Sequence, residues 1–401
     1  MLDAQRWRNT KSVEVGGLDD NGVADFFTTV AGMHWPRLQS LRMDACSLTH
    51  LNETSSVRDA HSMERLEHLT SLALPNCGLR DDNVFNFIFH LRAPLVELDL
   101  SQNLLNFDED VDSRPPPSWS KTLRVLSLGY SMYPVNVEKL IEKYLNVLLP
   151  NVTDLDITGV ICVPFQNPPT IDPSRTKLTC FTCGNMHDMG SFMHMISVSQ
   201  EVISTGTFTL PPNRVLFTTN LQYLDVSCTL SQSNQNTFEW LLHLSSIGCF
   251  PKLRYLDISG LFRRAGMAEV GLRTGTKFPA LETLEAGDLV LDADDVRNIA
   301  LCYAPALKYL SLRNTTMSWE ALDVLMTGQW PELWKLDLGG CRGVHLRRAA
   351  ESLCENNGPW KWPKLKVLAV KTMGRAKLKP IDRKALLKLL KLWPGLKVQW
   401  K

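Results

Sequence analysis

Hydrophobic residues recur in one short pattern, and the segment from Ala306 to Val344 states it twice, 26 residues apart. The first copy has Leu307, Leu310, Leu312, Thr315 and Met317, and the second has Leu333, Leu336, Leu338, Cys341 and Gly343. Side chains alternate along a strand, so Leu310 and Leu312 point to one face while their polar neighbours point to the other. The pattern therefore predicts one short strand per copy, with a buried face and an open face.

A helical pattern follows each predicted strand. Between the two copies, the segment from Trp319 to Met326 is apolar at helical intervals and can cover the buried face of the strands. Asp292 and Ser318 have the residue types and positions of helix N-caps. The clearest other helical segments are Asp82 to Leu91, Val135 to Leu148, Asp294 to Cys302, Leu346 to Cys354 and Arg383 to Leu392. A unit of this kind cannot bury its own apolar face, so it implies stacked copies.

Copies of the pattern extend along the whole chain of 401 residues. Proline after an apolar residue, as in Trp330-Pro331, ends a helix and keeps the chain extended before many of the strands. The second apolar residue of the pattern aligns at Val13, Leu41, Leu72, Leu98, Leu126, Leu155, Phe181, Leu224, Leu256, Leu284, Leu310, Leu336, Leu368 and Leu396. The sequence thus predicts about fourteen units.

These periods and the helix in each unit resemble the ribonuclease-inhibitor-like class of leucine-rich repeats, including the cysteine-containing type of F-box adaptors. The predicted fold class is an α/β leucine-rich-repeat solenoid, a single one over residues 1–401. Parallel strands lie about 4.8 Å apart whereas helices need about 10 Å, so we expect a curved array with a concave sheet and convex helices. Insertions are expected near 49–65, 106–121 and 184–220.

Acidic and tyrosine side chains concentrate on the predicted concave face. Asp225, Asp257 and Glu285 should lie on three neighbouring strands, where like charges about 5 Å apart repel by about 0.8 kcal/mol even in water. A cationic ligand would relieve that repulsion, and nearby tyrosines would add rigid contact area. The predicted partner-binding residues are Asp99, Asp156, Tyr223, Asp225, Tyr255, Asp257, Glu285, Tyr309, Arg313 and Asp337. The alternative is that small polar residues only keep this face soluble.

Charge is distributed unevenly along the chain. The segment from Lys361 to Lys401, here called the basic end, carries a net +12, so the rest carries −11 of the overall +1. This segment could bind RNA phosphate, an acidic protein or an anionic membrane, or it could form the polar cap of the array. Its predicted anion-binding residues are Lys371, Arg375, Lys377, Lys379, Arg383, Lys384, Lys388 and Lys391.

No catalytic or metal-binding motif emerges. Cys180 and Cys183 have the spacing of half a zinc site, but residues three apart on a strand face opposite ways, so a structural role is favoured. The sequence lacks a phosphate-binding glycine-rich loop and a nucleophile elbow. We therefore expect no enzyme activity, no metal or other cofactor and no small-molecule substrate. No apolar run reaches the roughly 18 residues of a membrane span, and sparse cysteines favour an intracellular, cytoplasmic location.

These features predict a non-catalytic scaffold that binds a protein with a basic or mixed surface on its concave face. One alternative is a substrate adaptor of a ubiquitin ligase, although the segment from Met1 to Thr29 is short for an F-box module. A GTPase-activating regulator would need a contact arginine, for which Arg42 and Arg313 are the candidates. Another alternative is a ribonucleoprotein-associated role in which the basic end contacts RNA.

Overall fold

The computed structural model describes residues 9–23, 25–26, 35, 37–48, 66–81, 84, 88–107, 115–136, 139–161, 177–185, 220–228, 250–261, 278–303, 305–342, 346–355, 361–371 and 380–399. The chain divides into two compact units, Met1–Phe217 and Thr218–Lys401. Each unit is described separately below, and the single solenoid over 1–401 stays a prediction.

The described part of the first unit contains seven parallel strands, each paired with the next one along the chain. They are β1 (Ser12–Gly16), β2 (Ser40–Asp44), β3 (Ser71–Ala73), β4 (Glu97–Asp99), β5 (Val125–Ser127), β6 (Asp154–Asp156) and β7 (Cys180–Thr182). Val13 pairs with Leu41, and Leu41 pairs with Leu72, which is the register predicted from the leucine spacing.

The described part of the second unit repeats this arrangement, and two shorter strands form a separate pair. Its strands are β8 (Tyr223–Asp225), β9 (Tyr255–Asp257), β10 (Thr283–Glu285), β11 (Val290–Leu291), β12 (Tyr309–Ser311), β13 (Thr316–Met317), β14 (Lys335–Gly339), β15 (Val367–Lys371) and β16 (Lys397–Gln399). Its helices are α1 (Ala293–Tyr303), α2 (Trp319–Thr327), α3 (Leu346–Glu355) and α4 (Pro380–Leu392). Strands β11 and β13 pair with each other, and Thr316 of β13 also forms an isolated parallel bridge to Arg342.

The core of each unit consists of the leucines of the repeat. Leu310 and Leu312 are fully buried, whereas Tyr309 is only half-buried on the other side of the strand. This division follows from the alternation of side chains, and the face that carries Tyr309 is called the open face below. Each unit therefore has the architecture of an α/β leucine-rich-repeat solenoid.

The predicted register is wrong at the last strand. Val398, not Leu396, pairs with Leu368. The backbone N–H of Leu396 donates to the carbonyl of Trp393 (3.0 Å), as Leu365 does to Trp362 one unit earlier (3.2 Å). Leu396 therefore occupies the first leucine position, and the final strand begins two residues later than the spacing predicts.

The helix caps of the second unit are confirmed. Ser318 accepts a hydrogen bond from the N–H of Ala321 (3.1 Å). Asp292 accepts from the N–H groups of Asp294 and Asp295 (both 2.9 Å), and the Asp295 carboxylate accepts from the Asp292 N–H (2.9 Å). Such reciprocal bonds satisfy amide groups that the first turn of a helix leaves unpaired.

The helical segments of the first unit differ from prediction. The segment predicted from Val135 to Leu148 is a π-helix, Leu140–Leu148. In the segment predicted from Asp82 to Leu91, the described residue Val84 is α-helical as predicted, and the segment ends in a 3₁₀ turn, Ile88–His90. The predicted insertion near 49–65 lies outside the described residues, as does nearly all of that at 184–220. The third, near 106–121, ends in a 3₁₀ turn, Ser118–Lys121, whose Trp119 is fully buried.

A left-handed residue follows the strand in twelve of the repeats, four residues after the second leucine. These residues are Gly17, Ala45, Asn76, Gln102, Tyr130, Gly159, Asn185, Cys228, Gly260, Asp288, Asn314 and Gly340. The turn directs the backbone N–H toward the next repeat. For example, the N–H of Asn314 donates to the carbonyl of Gly339 (2.8 Å). Each strand therefore ends in a bond to its neighbour.

The residue after this turn is often a buried polar side chain that bonds to backbone carbonyls. The thiol of Cys77 lies 3.2 Å from the carbonyl of Met43, and the thiol of Cys341 lies 2.7 Å from that of Leu312. Burial raises the pKa of Cys77 to about 11 and that of Cys341 to about 12. Because the thiolate is the reactive form, these cysteines are structural.

None of the described helices has the length and hydrophobicity of a membrane span.

Candidate functional site

Acidic and tyrosine side chains form one continuous patch on the open face of the second unit. Asp225 pairs with Asp257, and Asp257 pairs with Glu285, so three carboxylates lie on adjacent strands β8, β9 and β10 as predicted. Tyr223 and Tyr255 occupy the neighbouring column in the same register. We call these five residues the acid–tyrosine surface.

The two tyrosines stack almost parallel, with ring centroids 4.1 Å apart and an interplanar angle of 5°. The hydroxyl of Tyr255 donates to Oε1 of Glu285 across the strand boundary (3.3 Å). Stacking and hydrogen bonding together hold this part of the face in one arrangement. A rigid aromatic pair beside carboxylates is well suited to contact a large ligand, because little side-chain entropy is lost on binding.

The aspartates also have a structural role that the sequence reading missed. The Asp257 carboxylate accepts from the N–H of Ser259 (2.8 Å), and Asp225 accepts in the same way from Ser227 (2.8 Å). Asp99, Asp156 and Asp337 make the equivalent bond, to Ser101, Thr158 and Gly339. The signal was present as a recurring aspartate two residues before serine, threonine or glycine, which is typical of an Asx turn.

Asp257 carries the strongest electrostatic strain on the surface. Burial raises its pKa to about 6, the Ser259 hydrogen bonds oppose the shift, and the charges of Asp225 and Glu285 add to it. Burial and the same neighbouring carboxylates also raise the pKa of Tyr255. In the described part of the unit, neither Asp257 nor Glu285 forms a salt bridge. The surface therefore stabilises an approaching cation.

The Asp257→Asn substitution should stabilise the second unit at neutral pH. With its pKa raised on folding, the native carboxyl binds more protons than the unfolded one, so stability falls as pH rises from about 4 to about 6. Asparagine keeps an oxygen for the Ser259 N–H and removes the charge. We expect a gain of about 1–2 kcal/mol at pH 7 and none at pH 4, measured by urea unfolding. An equal change at both pH values would contradict this origin.

Tyr309, Arg313 and Asp337 lie further along the same face and are engaged differently. The Lys335 ammonium lies 4.2 Å from the centre of the Tyr309 ring. Arg313 contacts Asp337, with Nε and Oδ2 3.5 Å apart, and the Asp337 side chain is buried. Positive groups therefore already balance this end of the predicted site, and the acid–tyrosine surface is its acidic part.

The predicted residues Asp99 and Asp156 belong to the first unit. Arg42 lies on the open face between Glu14, Asp44 and Asp99, at 3.8, 3.2 and 3.7 Å. The Asp156 carboxylate accepts from the hydroxyl of Ser127 (3.0 Å) in addition to its turn bond. These acids have local partners, and Arg42 is held by three carboxylates.

The basic end is described only in part. Arg375, Lys377 and Lys379 lie outside the described residues, and Lys371 is the last residue of β15. The remaining predicted residues are exposed on α4, namely Arg383, Lys384, Lys388 and Lys391.

The leucines of α4 are not all buried. Ala385 and Leu389 are buried, whereas Leu387 and Leu392 are 60% and 49% exposed. Residues four apart share one side of a helix, so Ala385 and Leu389 define the packed side and Leu387 lies away from it. Exposed leucine thus lies among the lysines.

The cysteine pair behaves as its spacing indicates. Cys180 is half-buried on the open face and Cys183 is fully buried in the core. Burial, together with the charge of Asp154, raises the pKa of Cys180 to about 11. Within the described residues there is no group of three or more histidine, cysteine or acidic side chains arranged to hold a metal ion.

No family model and no curated protein sequence matches the chain. Among solved structures, it is similar to an internalin, InlF, from Listeria monocytogenes, with 14% identity over 87% of this chain and 86% of that one and a TM-score of 0.45. It is similar to TLR13 in a complex with ssRNA13, with 16% identity, 96% and 54% coverage and a TM-score of 0.41. It is also similar to human 5T4, with 17% identity, 69% and 88% coverage and a TM-score of 0.36. The chain spans about half of the TLR13 chain.

Proposed function

We propose that this protein is a non-catalytic scaffold or adaptor, which binds a protein with a basic or mixed surface through the acid–tyrosine surface. The observation that carries the proposal is the coincidence of three carboxylates in register with a stacked tyrosine pair. An exposed surface that repels itself gains stability when a cation reaches it. Aromatic side chains next to such charges supply the anchors that dominate many interfaces.

The experiment uses Glu285, because the other two carboxylates also close strand-end turns and their reversal would perturb the fold. Glu285 accepts its side-chain hydrogen bond from Tyr255 and is half-buried on β10, the last strand of the surface. We expect Glu285→Lys to weaken binding of the partner about tenfold or more, since a repulsive charge replaces an attractive one. Quantitative affinity purification from cell extract, followed by titration of the recovered partner, measures the loss.

The matched control is Glu97→Lys, which makes the same charge change at an exposed position on the open face of the first unit. The proposal requires the Glu97 variant to keep the partner. Equal retention by both variants, or equal loss by both, would refute recognition through this surface. Circular dichroism of each variant separates lost binding from lost folding.

The exposed cations of α4 support a second candidate function, which is contact with RNA or an acidic protein. Part of the basic end already has structural partners: Lys361 donates to the carbonyl of Thr327 (2.9 Å), and Lys364 contacts Glu332 (2.6 Å). Arg383, Lys384, Lys388 and Lys391 remain displayed to solvent. Salt-sensitive nucleic-acid binding that disappears when Lys384 and Lys388 become glutamine would favour this function.

We also propose that the repeats belong to the ribonuclease-inhibitor-like class and, as an alternative role, that the protein is a substrate adaptor of a ubiquitin ligase. Their support is the helix in the best-described units and the buried cysteines that follow the strand-end turn, as at Cys46, Cys77 and Cys341. An adaptor of that kind would carry its ligase-binding module as a separate element. Co-purification of a ligase subunit with wild type and with Glu285→Lys alike would favour the adaptor role.

A further inference from the structure

A polar groove lies at the edge where the strands of the first unit begin. Its volume is about 500 Å³, and it is lined by Lys11, Arg37, Gln39, His68, Thr70 and Pro94. Small-molecule sites have volumes of about 300–1,000 Å³, so the groove is large enough to take a ligand. We call it the entry groove, and no predicted site residue belongs to it.

Among the residues that the structure describes, three basic side chains line the entry groove and no acidic one does. Lys11, Arg37 and His68 are exposed, and among the described residues none of their side chains forms a hydrogen bond or salt bridge. The Lys11 ammonium and the Arg37 guanidinium create a positive potential at this concavity, and the His68 imidazole can donate a further hydrogen bond. The groove therefore favours an anion.

Several basic side chains at the same edge elsewhere have partners, although Arg254 and Lys366 have none among the described residues. In the second unit, Lys308 contacts Glu282 at 3.0 Å, and Lys252 donates to the side chain of Asn220 at 2.9 Å. In the first unit, Arg124 donates to the carbonyls of Lys121 and Leu123 (3.0 and 2.9 Å). What distinguishes the entry groove is that three basic side chains without such partners line one concavity.

The floor of the groove does not repel an anion. The Lys11 carbonyl already accepts from the N–H groups of Gln39 and Ser40 (2.8 and 2.9 Å), and the Gln39 carbonyl accepts from the N–H and hydroxyl of Thr70 (2.8 and 3.1 Å). These bonds between strands also fix the backbone from which the basic side chains extend. The site is therefore rigid at its base.

The spacing of the charges indicates the size of the ligand. Lys11, Arg37 and His68 come from three successive repeats of the first unit. Neighbouring strands lie about 4.8 Å apart, so these three side chains spread over about 10 Å. One phosphate group cannot reach all three, whereas a diphosphate can approach them together. We propose that the entry groove binds a small ligand carrying at least two phosphate groups.

Isothermal titration with inorganic pyrophosphate at low ionic strength tests the proposal on the full chain. We expect saturable binding that Lys11→Gln and Arg37→Gln each weaken about tenfold or more, because each removes a charge-assisted contact. The control is Lys252→Gln, a lysine at the repeat position equivalent to Arg37 in the second unit, which should leave binding unchanged. Vesicles carrying a phosphoinositide, with and without competing pyrophosphate, distinguish a lipid headgroup from a free phosphate compound as the source.

The result that would overturn the proposal is an absence of pyrophosphate binding, or the same weakening in the Lys252 variant as in the other two. Binding of an RNA oligonucleotide without binding of pyrophosphate would also contradict a small-anion site. Thermal unfolding of each variant checks that the fold is retained, so that lost binding reports on the groove.

Discussion

Replacing Trp330 with alanine should lower the free energy of unfolding of the second unit by about 3–5 kcal/mol. Trp330 is fully buried, and its ring lies 5.9 Å from that of Trp362, centre to centre. Its indole N–H also donates to the carbonyl of Leu325 (3.0 Å), near the last turn of α2. Alanine would leave a large cavity between successive repeats, and the Leu325 carbonyl would lose its partner there.

Urea unfolding followed by circular dichroism measures this loss without depending on the removed indole. Trp319→Ala is the matched control, because Trp319 starts the same helix but is 52% exposed. We expect the control to change stability by about 1 kcal/mol or less. If both substitutions cost the same, the packing between Trp330 and Trp362 is not what stabilises this region.

Replacing Asn103 with alanine should have a comparable effect in the first unit, about 3–5 kcal/mol. The Asn103 side chain is fully buried and forms five hydrogen bonds to backbone groups. Its oxygen accepts from the N–H groups of Cys77 and Leu79 (2.9 and 3.0 Å). Its nitrogen donates to carbonyls that include Leu74 and Leu100 (2.8 and 2.9 Å). Alanine leaves the two amides, and the Leu74 and Leu100 carbonyls, without this buried partner.

Hydrogen exchange measured by mass spectrometry locates the effect as well as its size. Protection should fall most in the peptide that contains the Cys77 and Leu79 amides, because they lose their acceptor. The neighbouring substitution Gln102→Asn keeps a residue that tolerates the left-handed conformation and should change stability by less than about 0.5 kcal/mol. Unchanged exchange at Cys77 in the Asn103 variant would contradict the role given to this side chain.

The strand register could be predicted because alternation leaves a regular trace in the sequence. A leucine displaced by one position would face solvent, so Leu310 and Leu336 could be aligned correctly without coordinates. The misplaced register at Leu396 also results from relying on the hydrophobic pattern. That residue is buried, as the pattern requires, but it fills the first leucine position, and hydrophobicity alone does not separate the two positions.

The site could be predicted only where it depends on that register. The alignment of Asp225, Asp257 and Glu285 follows from strand pairing and was found. The turn bonds of the aspartates were missed because a carboxylate was read as a charge and not as a hydrogen-bond acceptor. The entry groove left no local signal, since Lys11, Arg37 and His68 are distant in sequence and meet only through stacking of units.

Two sets of side chains on the open face have different roles, and this bears on how recognition could change during evolution. Aspartates such as Asp225 and Asp257 accept a hydrogen bond from the next turn, so a side chain that cannot accept this bond disturbs the architecture. Tyr255 and Glu285 bond to each other through side chains alone, and their replacement leaves the strand ends intact. Related proteins can therefore acquire new partners through substitutions at positions such as Tyr255 and Glu285, while the aspartates that close the turns stay the same.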